Sequence, residues 1–134
     1  METAEVMQNI KVGLEGTAET ITTTQNAAKA MGSGSLPVFA TPAMTALMEK
    51  AATELLENLL PIGWTSVGIA LSISHIAATP VGKKVRAIAK VEAVEGKKIK
   101  FTVEAFDEKE KIGFGTHERF AVLTEKFLKK AESK

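Results

Sequence analysis

His75 lies within the run Ser72-Ile73-Ser74-His75-Ile76-Ala77-Ala78-Thr79-Pro80, which otherwise has the composition of a β-strand, in a chain with only two histidines. Side chains alternate between the faces of a strand, so the ring shares its face with Ile69, Leu71 and Ile73. An imidazole among large apolar groups needs a hydrogen-bond partner, because lacking one costs about 1–3 kcal/mol. A backbone carbonyl or water at a strand end would satisfy it. So would a substrate whose proton the ring handles.

Glu49 is the second such residue. It lies in a segment where Met44, Leu47, Met48, Ala51, Leu55 and Leu59 recur at helical spacing. With Met44 at zero and about 100° per residue, the apolar stripe centres at about 30° and Glu49 falls at about 140°. That is the shoulder of the stripe, whereas Lys50, Glu54 and Glu57 lie on the outer face. Partial burial would fit a carboxylate there for general-base work, while a glutamate reaching past the shoulder to water is the plainer reading.

Thr41 precedes Pro42 at the start of the same segment. A threonine there suits the N-cap and a proline the first helical position. The free N–H groups and dipole of a helix start also favour negative charge growing on a carbonyl oxygen under attack. Thr41 and Glu49 are eight residues apart, roughly 12 Å along one helix. Joint action would need the segment before Pro42 to fold back, or a second subunit.

The elements that position these residues follow from composition and period. Residues 12–24, rich in threonine, predict a first strand. Met31-Gly32-Ser33-Gly34-Ser35-Leu36-Pro37 breaks regular structure. A helix of about 18 residues follows and ends at Pro61-Ile62-Gly63. After Trp64 the period becomes two: a strand through Ile69–Ser74, one over Val85–Val94, one over Ile99–Phe106 and one over Ile112–Thr124, with Glu95-Gly96 as a hairpin turn. In the last strand Ile112, Phe114, Phe120 and Val122 are in phase, and Gly113, Gly115, His117 and Arg119 take the other face. Strand, long helix and four short-linked strands predict an α+β domain, an antiparallel sheet with one helix against it, spanning residues 1–134.

Composition narrows the function. With 45% apolar and 25% charged residues the chain reads as one globular domain. There is no cysteine, which excludes disulfides, thiolate catalysis and cysteine zinc sites. A formal charge of +1, with 17 basic and 16 acidic residues interspersed, gives no field for a nucleic-acid backbone. No apolar run approaches the roughly 20 residues of a membrane span, and METAEVMQNIKVGLEG lacks a signal-peptide pattern, so a cytoplasmic location is expected. Lys83, Lys84 and Arg86 read as a solvated strand end, and the lysines after Glu125 as a solvated terminus. Phosphate-binding and serine-nucleophile motifs are absent, and two distant histidines make a poor metal site.

Taken together, Val38-Phe39-Ala40-Thr41, Leu47-Met48-Glu49, His75-Ile76-Ala77-Ala78-Thr79-Pro80, Val94-Glu95-Gly96 and Gly113-Phe114-Gly115-Thr116-His117-Glu118-Arg119 resemble the fluoroacetyl-CoA thioesterase family of hotdog-fold proteins. The resemblance runs over roughly residues 36–128. It implies a five-stranded antiparallel sheet wrapped around one long central helix, pairing into a homodimer, with a tetramer as the alternative. It further implies hydrolysis of a short or small acyl-CoA, with coenzyme A part of the substrate and no metal or separate cofactor. By position, Thr41, Glu49 and His75 match the family's catalytic residues, Gly68 a glycine near the reacting thioester, and Arg119 a substrate-binding arginine. Ahead of Val38 the small residues Gly32 to Pro37 stand where fluoroacetyl-specific sequences carry bulky aromatics, so the resemblance extends to the hydrolytic site and not to selectivity for a fluorinated acyl group. Two other functions fit such a fold: an enoyl-thioester hydratase or dehydratase using His75, and a non-catalytic acyl-CoA binding module.

Overall fold

The computed structural model describes residues 1–134. Its elements are α1 (Thr3–Val6), β1 (Glu15–Ile21), α2 (Ala28–Met31), α3 (Thr41–Glu57), β2 (Trp64–His75), β3 (Lys84–Glu95), β4 (Lys98–Phe106), β5 (Lys111–Leu123) and α4 (Thr124–Glu132). All pairings are antiparallel, in the order β1-β3-β4-β5-β2. This is the sheet around a central helix that the resemblance implied. Gly63 and Gly96, at φ 88° and 62°, make the turns that open β2 and link β3 to β4.

The helix forms where the apolar spacing places it and is 17 residues long. Met44, Leu47, Met48, Ala51, Ala52 and Leu56 are its buried positions. They pack on the inward residues Val85, Ala87, Ala89 and Val91 of β3 and on Phe101 and Val103 of β4. Small alanines on β3 let the helix lie close, and Gly16 on β1 carries this furthest: a Cβ there would strike the Ala51 carbonyl. Each large aliphatic side chain buried in this layer contributes about 1.5–3 kcal/mol.

One part of the core was not anticipated. The N-terminal segment folds over it and buries Val6, Met7 and Ile10. The C-terminal stretch, expected as a solvated end, is solvated but helical, with no buried residue in α4.

Two bulges change which face the strand residues take. On β5, Ala105 pairs with Gly113 but Phe106 with Lys111, so Ile112 is an extra residue and the alternation reverses after it. The predicted phase is therefore wrong for this strand. His117, Arg119 and Ala121 are buried, while Phe114 is 45% exposed. On β2, Gly68 pairs with Arg119 and Ala70 with Glu118, which leaves Ile69 bulged out.

Leu71 and Ile73 keep the inner face with His75, as predicted, but β2 is an edge strand. Leu71 is accordingly 41% exposed, and Ile69, expected to face inward, is 50% exposed. No helix is long and apolar enough to cross a membrane.

Candidate active site

Thr41 is the first residue of α3, and Ala40 takes the N-cap position without a side-chain cap bond. The capping role predicted for Thr41 is thus not used. Its hydroxyl lies instead 2.7 Å from Nδ1 of His75, at the far end of β2. Phe39 and Ala40 are held in place through their N–H groups, which donate to the carbonyls of Thr79 and Asn26. Proline has no N–H, and the amides of Thr41 and Ala43 donate to no group of the chain, so the helix start retains free donors.

Nε2 of His75 is buried without a hydrogen-bond partner. Burial lowers the pKa of this ring, and the nearby Ala77 backbone opposes the shift without meeting hydrogen-bond geometry. The ring is consequently neutral at physiological pH and can accept a proton from one side and pass one on the other. Thr41 and His75 form part of the wall of an open cavity of about 310 Å³, completed mainly by small residues including Ala28, Ser33, Ala77 and Ala78.

Glu49, Gly68 and Arg119 come together elsewhere. The side chain of Glu49 is part-exposed, and its Oε2 lies 3.9 Å from Nη1 of Arg119. Gly68 faces both: a Cβ at that position would sit 3.1 Å from Glu49 Oε2 and 3.3 Å from Arg119 Nη1. Only a residue without a side chain leaves room here for an incoming group. Arg119 is 6% exposed. Its Nε donates to the Ser66 hydroxyl at 2.8 Å, Nη2 to the Ser66 carbonyl at 3.0 Å, and Nη1 to Nε2 of His117 at 3.2 Å. Burial lowers the pKa of the guanidinium, with Glu49 opposing that shift; the group stays charged.

The five residues singled out in the sequence therefore form two groups. Thr41 and His75 make one, and Glu49, Gly68 and Arg119 the other. Residues 68 and 75 of β2 are separated by roughly 20 Å of strand, so within one chain the carboxylate and the imidazole do not meet. Ser66 and His117, which hold Arg119, were not singled out. The signal for His117 was its place two residues before Arg119, hidden by the reversed phase of β5.

An antiparallel sheet curved around a buried helix, with an acid, a histidine and a helix start along its edge strand, defines a hotdog thioesterase-type protein. The sequence matches the model of the fluoroacetyl-CoA-specific thioesterase family over residues 21–125, and the chain belongs to that family. It is 41% identical over 97 residues to a fluoroacetyl-CoA thioesterase of Streptantibioticus cattleyicolor, covering 72% of this chain and 70% of that one. A solved structure of the fluoroacetyl-CoA thioesterase FlK superimposes with a TM-score of 0.87 at 34% identity, covering 93% of this chain and 97% of the other. A variant of that enzyme in complex with fluoroacetate and CoA gives a TM-score of 0.83 at 33% identity, covering 88% and 99%. The reaction class is acyl-CoA thioester hydrolysis.

Proposed function

We propose that two copies of the chain pair through β2 and that each active site is shared, with Glu49, Gly68 and Arg119 from one subunit and Thr41 and His75 from its partner. The supporting observation is the separation of the two groups along an uncovered edge strand. Antiparallel pairing of two β2 strands about Ser72, with Ile69 bulged out as it is against β5, sets Gly68 opposite the partner's His75. Leu71 then meets the partner's Ile73, covering apolar surface that is open in the single chain. Such pairing also removes an edge that would otherwise invite aggregation.

The chemistry follows from the groups so assembled. The thioester carbonyl lies by the start of α3, where the Thr41 hydroxyl and the free N–H groups stabilise negative charge on its oxygen. Glu49 either takes a proton from the attacking water or attacks the carbonyl itself, giving an anhydride that water opens. As the C–S bond breaks, the departing CoA thiolate takes up a proton relayed by His75, whose neutral ring passes on the proton of one nitrogen as the other accepts the proton given up by the water. Net, water is consumed and a carboxylic acid and free CoA are released. The acyl group occupies the cavity beside His75, and its small lining residues set the acyl preference. No metal or additional cofactor takes part, and the enzyme works as a cytoplasmic homodimer.

Mixing variants tests the shared site directly. Glu49→Gln and His75→Ala homodimers should each be nearly inactive in thiol release from short acyl-CoA esters. After unfolding and refolding together, random pairing rebuilds one intact site in each mixed dimer, or about a quarter of wild-type activity. No recovery, with mixed dimers demonstrated by mass spectrometry, would exclude sharing; wild-type rates in both single variants would exclude the mechanism. Crotonyl-CoA distinguishes the hydratase alternative, which would remove the enoyl absorbance without releasing thiol.

A further inference from the structure

His117 is buried to 1% exposure, and the proposed chemistry makes no use of it. Its surroundings are nonetheless specific. Nδ1 lies 2.9 Å from the carbonyl oxygen of Ala70, which only accepts, so Nδ1 carries a proton. Nε2 lies 3.2 Å from Nη1 of Arg119, which only donates, so Nε2 bears a lone pair. One form of the ring satisfies both contacts: neutral, with its hydrogen on Nδ1. The Phe101 ring stacks beside it, with centroids 6.2 Å apart and planes 26° from parallel.

Ala70 follows the bulge at Ile69, which also turns Gly68 inward. The anchor of His117 and the opening left by Gly68 thus share one local distortion. From the bulge a line of contacts runs through the imidazole to the guanidinium and on to the carboxylate of Glu49. Ser66 holds the other side of Arg119 through two hydrogen bonds. With three N–H groups engaged in this way, Nη1 is directed at Glu49 but stops 3.9 Å short of Oε2. The carboxylate is steered without being consumed in a close ion pair.

We propose that His117 is a positioning residue for the hydrolytic reaction, in which the neutral Nδ1–H tautomer, anchored on the Ala70 carbonyl, fixes Arg119 so that it orients Glu49 towards the acyl carbonyl. This rests on the reading of Glu49 as the reacting carboxylate. Protonation of Nε2 would set two donors against each other and a cation beside Arg119. Burial and Arg119 hold the ring neutral, against the opposing pull of the Ala70 carbonyl, Glu49 and Glu118.

A double-mutant cycle provides the test. His117→Phe should lower kcat about tenfold while KM changes little, the outcome of lost orientation rather than lost binding. His117→Gln, whose side-chain carbonyl can accept from Arg119, should recover most of that loss. In an Arg119→Met background, His117→Phe should have no further effect. An equal loss with and without Arg119, or a Gln variant as impaired as Phe, would overturn the proposal.

Should the Phe variant fail to fold, nitrogen NMR of the unmodified enzyme decides independently of activity. His117 should show a protonated Nδ1 and a free Nε2 at neutral pH, and Arg119→Met should raise its titration point. The opposite tautomer or an imidazolium at pH 7 would refute the assignment. Failure of the shared-site reading appears separately, in the Glu49 and His75 variants.

Discussion

Gly68 and His75 lie on the same face of β2 although they are an odd number of positions apart, because Ile69 bulges out of the ladder between them. A regular strand would have sent one to the helix and the other to solvent. Gly68→Ala should therefore act on catalysis more than on folding. The added methyl would meet Glu49 Oε2 at 3.1 Å and both Arg119 Nη1 and His117 Cε1 at 3.3 Å. Expected is a loss of tenfold or more in kcat/KM, on the order of 1.4 kcal/mol, with a melting temperature close to wild type. A variant of full activity would show that the space over Gly68 is not used.

Thr41 gives a prediction that separates chemistry from capping. Removing an N-cap threonine costs typically about 1 kcal/mol. Here the hydroxyl bonds His75 instead of the helix start. Thr41→Ala should lose about tenfold or more in kcat with a stability change well below the cost of a cap, and Thr41→Ser should keep most activity. Denaturant titration and turnover of the three proteins check this; full kcat in Thr41→Ala would contradict a part for the hydroxyl in the reaction.

The two histidines act together in the pH dependence. Both have pKa values lowered by burial, so the unfolded chain binds more protons than the folded one between the lowered values and about 6.5. Stability is complete above that window and falls as pH drops through it. Thermal melts across the acid range should show this decline, and it should shrink in His75→Ala and in His117→Gln. A melting temperature that rose on acidification through the window would contradict the sign.

Ile10 tests the N-terminal segment. It is 4% exposed and packs with Val6 and Met7 on the main core. Ile10→Ala should destabilise the fold by about 2–4 kcal/mol. Turnover in the folded fraction should stay unchanged, since neither residue group of the active site touches this segment. Equal stability of the variant and wild type would mean that the segment does not contribute to the core.

Much of this architecture was legible because periodicity reports burial. The helix from Thr41, the hairpin at Glu95-Gly96 and the inward face of β3 all follow from spacing alone. The bulges did not show, since an extra residue in a strand leaves no mark on composition. Ile112 and Ile69 each reverse an alternation, and with it the assignment of His117, Arg119 and Gly68. Thr41, Glu49 and His75 could be singled out as candidates from the sequence, but their division into two groups could not. That division depends on which strand becomes the sheet edge, a property of topology that local sequence does not carry. The buried Val6, Met7 and Ile10 escaped notice because three apolar residues in a short polar segment make no periodic signal.

The open edge at β2 has a consequence for how the catalyst behaves in a cell. If the site is shared as proposed, a newly made chain holds complementary halves that cannot serve each other, and it is inert until it meets its twin. At low abundance, output should climb with roughly the square of the number of molecules, because each doubling also doubles the odds of an encounter. Dilution would then silence the enzyme by separation, with every polypeptide still folded.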